Sequence, residues 1–178
     1  MMMTGKSLDD QRAVNASRAG AQIEIARARF GDLRRAARVQ KRSFPYRLAY
    51  SYPTLLLLRF LPSARFVVAR EGDAILGMAI GDQTGGQSRV VNLCVDPDAR
   101  RRGVGSRLLR KLEEELPTGD IMLMAQIEND AARQLYKKAG YQEIGVSRNY
   151  YGRGKDGVWM QKVRTNAASP KPPTRDLR

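Results

Sequence analysis

Apolar and polar positions change period along the chain and divide it into segments. Ile23 and Ile25 alternate with polar or small neighbours over 22–29, which predicts a first strand. Asp32 then stands where an N-cap belongs, and Leu33, Ala36, Ala37 and Gln40 recur at helical spacing to about Arg42, where Ser43-Phe44-Pro45 breaks the helix. A second helix is expected over 54–60, with Pro53 in its first turn. Apolar runs at 65–70 and 74–80, joined by Glu71-Gly72-Asp73, predict a hairpin, and 81–87 reads as a loop. The run 89–95 predicts a central strand, with Val91, Leu93 and Val95 on one face and Val90, Asn92 and Cys94 on the other. After the turn residues Asp96-Pro97-Asp98, Leu108, Leu109, Leu112 and Leu116 mark a helix from near Val104. A strand at 121–127 precedes a helix capped by Asn129 or Asp130, with Ala132, Leu135, Tyr136 and Ala139 on one face and Gly140 as its stop. Strands at 142–146 and 158–163 complete the order: a strand, two helices, three strands, a helix, a strand, a helix and two strands.

That order predicts one mixed α/β domain over 22–163, a size consistent with the 178 residues. The flanks 1–21 and 164–178 are polar and without periodicity, the second basic and carrying Pro170, Pro172 and Pro173, and both read as disordered tails. Thirty-two basic against eighteen acidic residues leave a net charge of +14, which favours phosphate-bearing partners, whether a small molecule, a ribosome or RNA. Histidine is absent, which excludes a Ser-His-Asp or Cys-His nucleophile system, and one cysteine leaves no zinc site. The single cysteine cannot close an internal disulfide, and no secretory apolar region is evident, so a cytoplasmic protein is expected. The longest apolar patch, 55–58 with Phe60 and Leu61 beyond it, is too short to cross a bilayer.

The candidate chemistry lies between the central strand and the helix after it. The turn is Arg100, Arg101, Arg102, Gly103, Val104, Gly105 and Ser106. Its glycines let backbone approach a ligand, and the first N–H groups of the helix, its dipole and three arginines together suit a phosphate or pyrophosphate. No Lys-Ser or Lys-Thr follows the second glycine, and the spacing is not Gly-x-Gly-x-x-Gly, so neither common nucleotide loop is present.

The turn resembles the Arg/Gln-x-x-Gly-x-Gly/Ala loop of the GCN5-related N-acetyltransferase superfamily, matched by Arg100, Gly103 and Gly105. A second match follows in order: Asn129-x-x-Ala132-x-x-Leu135-Tyr136-x-x-x-Gly140-Tyr141 is similar to that superfamily's second cofactor motif. With Asn92-Leu93-Cys94-Val95 before the loop and Arg148-Asn149-Tyr150-Tyr151 after the helix, the chain looks like the branch that acetylates protein N-termini, including ribosomal-protein alanine acetyltransferases. The resemblance implies a central mixed, twisted sheet of about seven strands flanked by about four helices, and acetyl-CoA as cosubstrate with no metal.

It further implies that the backbone of Leu93, Cys94 and Val95 pairs with the acetyl and pantetheine portions. N–H groups from Arg101 to Ser106 would hold the pyrophosphate, Asn129 the pantetheine, and Tyr136 would act as general acid. The pair of helices early in the domain would line the acceptor cleft, making Phe44, Tyr46, Tyr50 and Tyr52 candidates to grip a peptide, with Tyr150 and Tyr151 facing them. The branch's Glu base falls at Met124 here, and Glu128 and Glu24 are the possible substitutes. An α-amine near pKa 8 needs less help than a lysine near 10.4, by about 2.5 units or roughly 3.4 kcal/mol, so a site without a dedicated base favours an α-amine. Cys94 has no histidine or evident cation beside it and reads as an inert thiol. The reading is therefore an enzyme acetylating a protein or peptide N-terminus. Acetylation of a small amine (polyamine, amino acid or aminoglycoside) and a non-catalytic ribosome- or RNA-binding role remain the alternatives. Ribosome association through the basic surface would fit the first or the last; no membrane partner is expected, and oligomeric state is left open.

Overall fold

The computed structural model describes residues 22–44, 49–117 and 119–164. The expected N-terminal tail, the C-terminal tail beyond Arg164, and Tyr46 lie outside the described residues; Arg164, expected to begin the tail, is held against the domain by the carbonyls of Gly119 at 2.7 Å and Glu113 at 2.9 Å. Seven strands run β1 (Glu24–Arg27), β2 (Arg65–Glu71), β3 (Ala74–Thr84), β4 (Gln87–Val95), β5 (Ile121–Gln126), β6 (Gln142–Ser147) and β7 (Gly157–Lys162). They form one sheet in the order β1-β2-β3-β4-β5-β7-β6, in which only the β4–β5 pair is parallel. The four α-helices of the described residues are α1 (Leu33–Ser43), α2 (Tyr52–Phe60), α3 (Val104–Glu115) and α4 (Asp130–Lys138).

Two apolar layers clamp the sheet. On one face the buried side of α1, Leu33, Ala36, Ala37 and Val39, packs with Leu55 of α2 against Phe66, Val68, Met78, Ile80 and Cys94. On the other, Val104, Leu108, Leu109 and Leu112 of α3 and Tyr136 of α4 cover Val67, Ala69, Ala79, Val90 and Leu123. These are the stripes that the helical spacing marked. Ser51 caps α2, its hydroxyl accepting from the Thr54 N–H, and the chain enters the helix through Pro53 as expected.

Three expectations change. The stretch 81–87 is not a loop: β3 runs on to Thr84, turns at Gly85-Gly86, and β4 begins at Gln87. Asp32 stands at the start of α1 but does not cap it; its carboxylate accepts from the Arg29 N–H and takes two bonds from Arg70 at 2.6 and 3.2 Å. The faces of β4 also differ. Opposite Ile80 and Gly81 stand Asn92 and Val90, so Val91 is one residue too many and forms a β-bulge. The extra residue inverts the alternation. Val90 therefore joins the α3 face with Leu93 and Val95, while Asn92 and Cys94 face α1.

The bulge also ends the pairing of β4 with β5. Their register holds at Ser88–Ile121, Arg89–Met122 and Val90–Leu123 and goes no further, although both strands continue. Beyond Val90 the sheet is parted at its centre. Asn92 is anchored in the parted region by buried Gln40 of α1, whose amide donates to the Asn92 side-chain oxygen at 2.6 Å.

The Asp32–Arg70 pair ties the entry of α1 to β2, and both side chains are under a tenth exposed. Burial alone would raise the Asp32 pKa; the Arg70 and Arg29 hydrogen bonds and the Arg70 charge more than offset it, leaving the carboxyl below its ordinary value. With the folded value depressed, this pair's stabilisation is complete above about pH 3.9 and is lost as pH falls through the folded value. We expect Asp32→Asn to lower unfolding stability at pH 7 by about 3 kcal/mol in urea titrations, with a smaller difference from wild type near pH 2.

Candidate active site

The opening between β4 and β5 is one side of a cavity of about 730 Å³. Its walls are Asn92 and Leu93 of β4, Met122, Met124 and Gln126 of β5, and Asn129, Ala132 and Tyr136 at α4. Phe44 and Tyr50 close it from the α1–α2 side, and Tyr150, Tyr151 and Trp159 from the β6–β7 side.

The backbone of β4 determines what this opening offers. Asp96 N–H donates to the Leu76 carbonyl, so by alternation in an antiparallel pair Cys94 and Asn92 direct their N–H and C=O groups at β3. Leu93 and Val95 direct theirs into the gap. Of the three residues expected to pair with a ligand's acyl and pantetheine portions, Cys94 is thus committed to the sheet. The Val95 carbonyl accepts from the Ser43 hydroxyl at 3.1 Å and the Arg100 Nε at 3.4 Å, which leaves the Leu93 groups and the Val95 N–H as the open donors and acceptor. The Cys94 side chain is 4 % exposed, and burial pushes its thiol up to about 12. A thiol so placed stays protonated at neutral pH, in keeping with the inert reading.

At the mouth of the gap α3 begins. Gly103 occupies the N-cap position at φ +74°, a left-handed conformation that costs a side-chain-bearing residue, while the Arg107 N–H closes the first helical turn onto its carbonyl. The N–H groups of Val104, Gly105 and Ser106 consequently have no place in the helical ladder. A Cβ on Gly105 would lie 3.4 Å from Leu135 and 3.6 Å from Val95, so this helix end sits close against both α4 and the end of β4. The three arginines differ. Arg102 is ion-paired with Glu71, Arg100 turns to the Val95 carbonyl, and Arg101, exposed, has no ion pair among the described residues.

Asn129 caps α4, its side-chain oxygen accepting from the Ala132 N–H at 3.1 Å, so its amide NH₂ remains for a ligand in the cavity that it lines. About two helical turns on, Tyr136 is 7 % exposed and its hydroxyl makes no hydrogen bond to any described residue. Its ring stands edge-on to Tyr141 at 5.8 Å, and the Tyr141 hydroxyl is fixed by Glu113 at 2.9 Å. Burial, with Tyr151 and Cys94 nearby, drives the Tyr136 phenol above its ordinary value. Across the cavity the Tyr151 hydroxyl donates to the Met124 carbonyl at 2.9 Å, and burial pushes that phenol up to about 12.

These features fit an acyl thioester of a nucleotide: free N–H groups at a helix end for phosphates, a parted strand edge for an amide-bearing arm, and a neutral phenol inside. Comparison with known proteins agrees. The sequence model of the acetyltransferase (GNAT) domain matches residues 62–143. An uncharacterised N-acetyltransferase of Methanocaldococcus jannaschii is 30 % identical over 126 residues, spanning 67 % of this chain and 80 % of that protein. The chain belongs to the GNAT acetyltransferase family. The N-alpha-acetyltransferase RimI of Mycobacterium tuberculosis is 35 % identical over 106 residues, 57 % of this chain and 67 % of that one. The crystal structure of the ribosomal-protein-S18-alanine N-acetyltransferase of Escherichia coli superposes with a TM-score of 0.73 at 24 % identity, over 85 % of this chain and 99 % of that chain, a likeness of fold. The protein is thus an acetyl-CoA-dependent N-acetyltransferase.

Within this acetyltransferase the remaining expected residues sort clearly. Phe44, Tyr50, Tyr150 and Tyr151 line the cavity; Tyr52 does not, packing instead with the α1–α2 core under Arg34. Glu24 is on the sheet's outermost strand beside Arg70, and Glu128 is exposed and off the cavity wall, so neither stands in for the missing Glu at Met124. Sequence reasoning missed Trp159, Asp82 and Arg89. Trp159 is the chain's one tryptophan, set in a predicted strand, which was a usable signal. Among the described residues no group of His, Cys, Asp and Glu could hold a metal, and no helix is long and apolar enough to cross a membrane.

The different commitments of the arginines are testable by calorimetry with acetyl-CoA. Arg101→Ala is expected to weaken binding about fivefold to tenfold through loss of a charge-assisted contact to phosphate, and Arg102→Ala by less than about threefold, because Glu71 already holds that guanidinium.

Proposed function

We propose that this acetyltransferase modifies the N-terminal α-amine of a protein or peptide, by direct attack of the amine in a ternary complex, with Tyr136 as the proton donor to the departing sulfur. The observation that carries the reading is the acceptor side of the cavity. It is an aromatic groove bounded by Tyr50, Tyr150, Tyr151 and Trp159, and its single carboxylate among the described lining residues, Asp82, is already bound by Arg89. A small polycationic amine would want several free carboxylates; a peptide end wants flat apolar walls and a few hydrogen-bonding groups. The relatives described above as N-alpha- and ribosomal-protein-alanine acetyltransferases support the same choice.

Acetyl-CoA, when bound, supplies an activated acyl group with a thiol leaving group. The residues then have three tasks. Leu93 and the free Val95 N–H orient the acyl arm along β4, aided by the Asn129 amide. Tyr151, whose own proton is given to the Met124 carbonyl, presents oxygen lone pairs to the cavity and can accept an N–H from the amine, orienting its nitrogen lone pair. Its high pKa makes it a hydrogen-bond acceptor and not a base, so the amine's proton leaves to water. Tyr136 stays neutral at working pH and donates to sulfur as charge develops there. The absence of a Glu at Met124 suits an amine that is already largely neutral near pH 8. Residues 22–163 act as the catalytic unit, and the net charge of +14 over the full sequence supports acceptors presented on an acidic particle such as a ribosome in the cytoplasm.

The test is thiol release from acetyl-CoA with peptides whose α-amine is free or blocked, each with and without an internal lysine. Release should need the free α-amine and ignore the lysine. Tyr136→Phe should lower kcat about 100-fold or more with acetyl-CoA binding retained. In wild type kcat/KM should climb with pH through about 8 as the amine deprotonates and show no descending limb below about pH 10, since burial holds the Tyr136 proton on beyond that point.

A further inference from the structure

Arg89 and Asp82 face each other across β3 and β4 on the floor of the acceptor groove. The guanidinium binds the carboxylate in parallel, Nε to Oδ1 at 2.9 Å and Nη2 to Oδ2 at 2.7 Å, with a further bond from Nη2 to the Thr84 hydroxyl at 3.2 Å. These bonds lock the plane of the guanidinium and leave Nη1, with two N–H donors, making no hydrogen bond to any described residue. Arg89 is also the more accessible partner, its side chain 44 % exposed against 23 % for Asp82. An incoming carboxylate can dock on Nη1 without disturbing the pair. An incoming cation would have to pass the Arg89 charge to reach oxygens already occupied.

Position along the groove assigns the contact to a particular part of an acceptor. Arg89 pairs in register with Met122, one strand over and two residues short of Met124, where the Tyr151 hydroxyl and the Met124 carbonyl meet. That offset is about 8 Å from strand spacing and rise, and an extended chain starting with its amine near Tyr151 covers it in two to three residues. We infer that Arg89, oriented by Asp82, selects acceptors carrying an acidic side chain at the second or third residue from the N-terminus. The inference rests on the peptide-acceptor reading of this groove. It adds a specificity determinant that neither the cofactor motifs nor Tyr136 supplies, and it agrees in sign with a strongly basic protein drawing acidic partners.

Three otherwise identical peptides with free α-amines and Glu, Gln or Lys at both positions test it. Wild type is expected to show kcat/KM for the Glu peptide at least about tenfold above the Lys peptide at low ionic strength, narrowing as salt is added. In Arg89→Gln the Glu-to-Lys ratio should fall to within about twofold of unity. In Asp82→Asn, which leaves Arg89 charged and unshared, the ratio should persist or widen. A wild-type ratio near one, a preference for Lys, or a ratio that survives Arg89→Gln overturns the inference while leaving peptide acetylation standing. If no free-amine peptide is acetylated at all, the acceptor reading fails and the inference falls with it.

Discussion

One extra residue in a β-ladder governs the rest of the molecule. Val91 has no partner on β3, and the added backbone bends β4 away from β5 just as their parallel pairing ends at Val90 and Leu123. A continuous sheet would satisfy Leu93 and Val95 with β5 and leave no room between the strands. The parted sheet keeps those backbone groups available, inside a protein whose faces are otherwise closed by two apolar layers. The cost of the parting is met locally: Gln40 fixes Asn92 from one side, while α4, started by its Asn129 cap, brings Tyr136 to the gap.

The same bend makes a division of labour. At one end the gap meets the start of α3, held open by a left-handed Gly103 and set close by the bare Gly105. At the other lie flat aromatic walls and the Asp82–Arg89 pair, the side we propose for the acceptor. Between them are two phenols, neutral around pH 7 like any tyrosine and pushed further from titration by burial, so each serves as a fixed hydrogen-bonding group. Tyr136 has its hydroxyl uncommitted, and Tyr151 has its proton committed to the Met124 carbonyl, so the first is suited to donate and the second to accept.

Much of this was legible from residue order. The α3 and α4 stripes are long and periodic, and the Arg100 to Ser106 turn and the Asn129 to Tyr136 spacing are local patterns that one strand and its neighbour express without help. What escaped was non-local. The bulge is a relation between β3 and β4, so simple alternation put Val90 on the wrong face. Gly81, Gly85 and Gly86 around Asp82, Gln83 and Thr84 have turn-like composition, and only pairing with Gln87 to Val90 makes the first part of that stretch a strand. Missing the strand meant missing that Asp82 and Arg89 are cross-strand partners. Likewise the fates of Arg100 and Arg102 depend on Val95 and Glu71, which lie elsewhere in the chain.

We propose that the bulge leaves the edge of β4 at Leu93 and Val95 free to bind acetyl-CoA. Residue-resolved amide hydrogen exchange, with and without a non-hydrolysable acetyl-CoA analogue, tests it most directly. The Cys94 amide, bonded to β3, is expected to exchange slowly in both states, while those of Leu93 and Val95 exchange readily in the free protein and become protected on binding. Equal exchange at Leu93 and Val95 in the two states, with the analogue demonstrably bound, would contradict it.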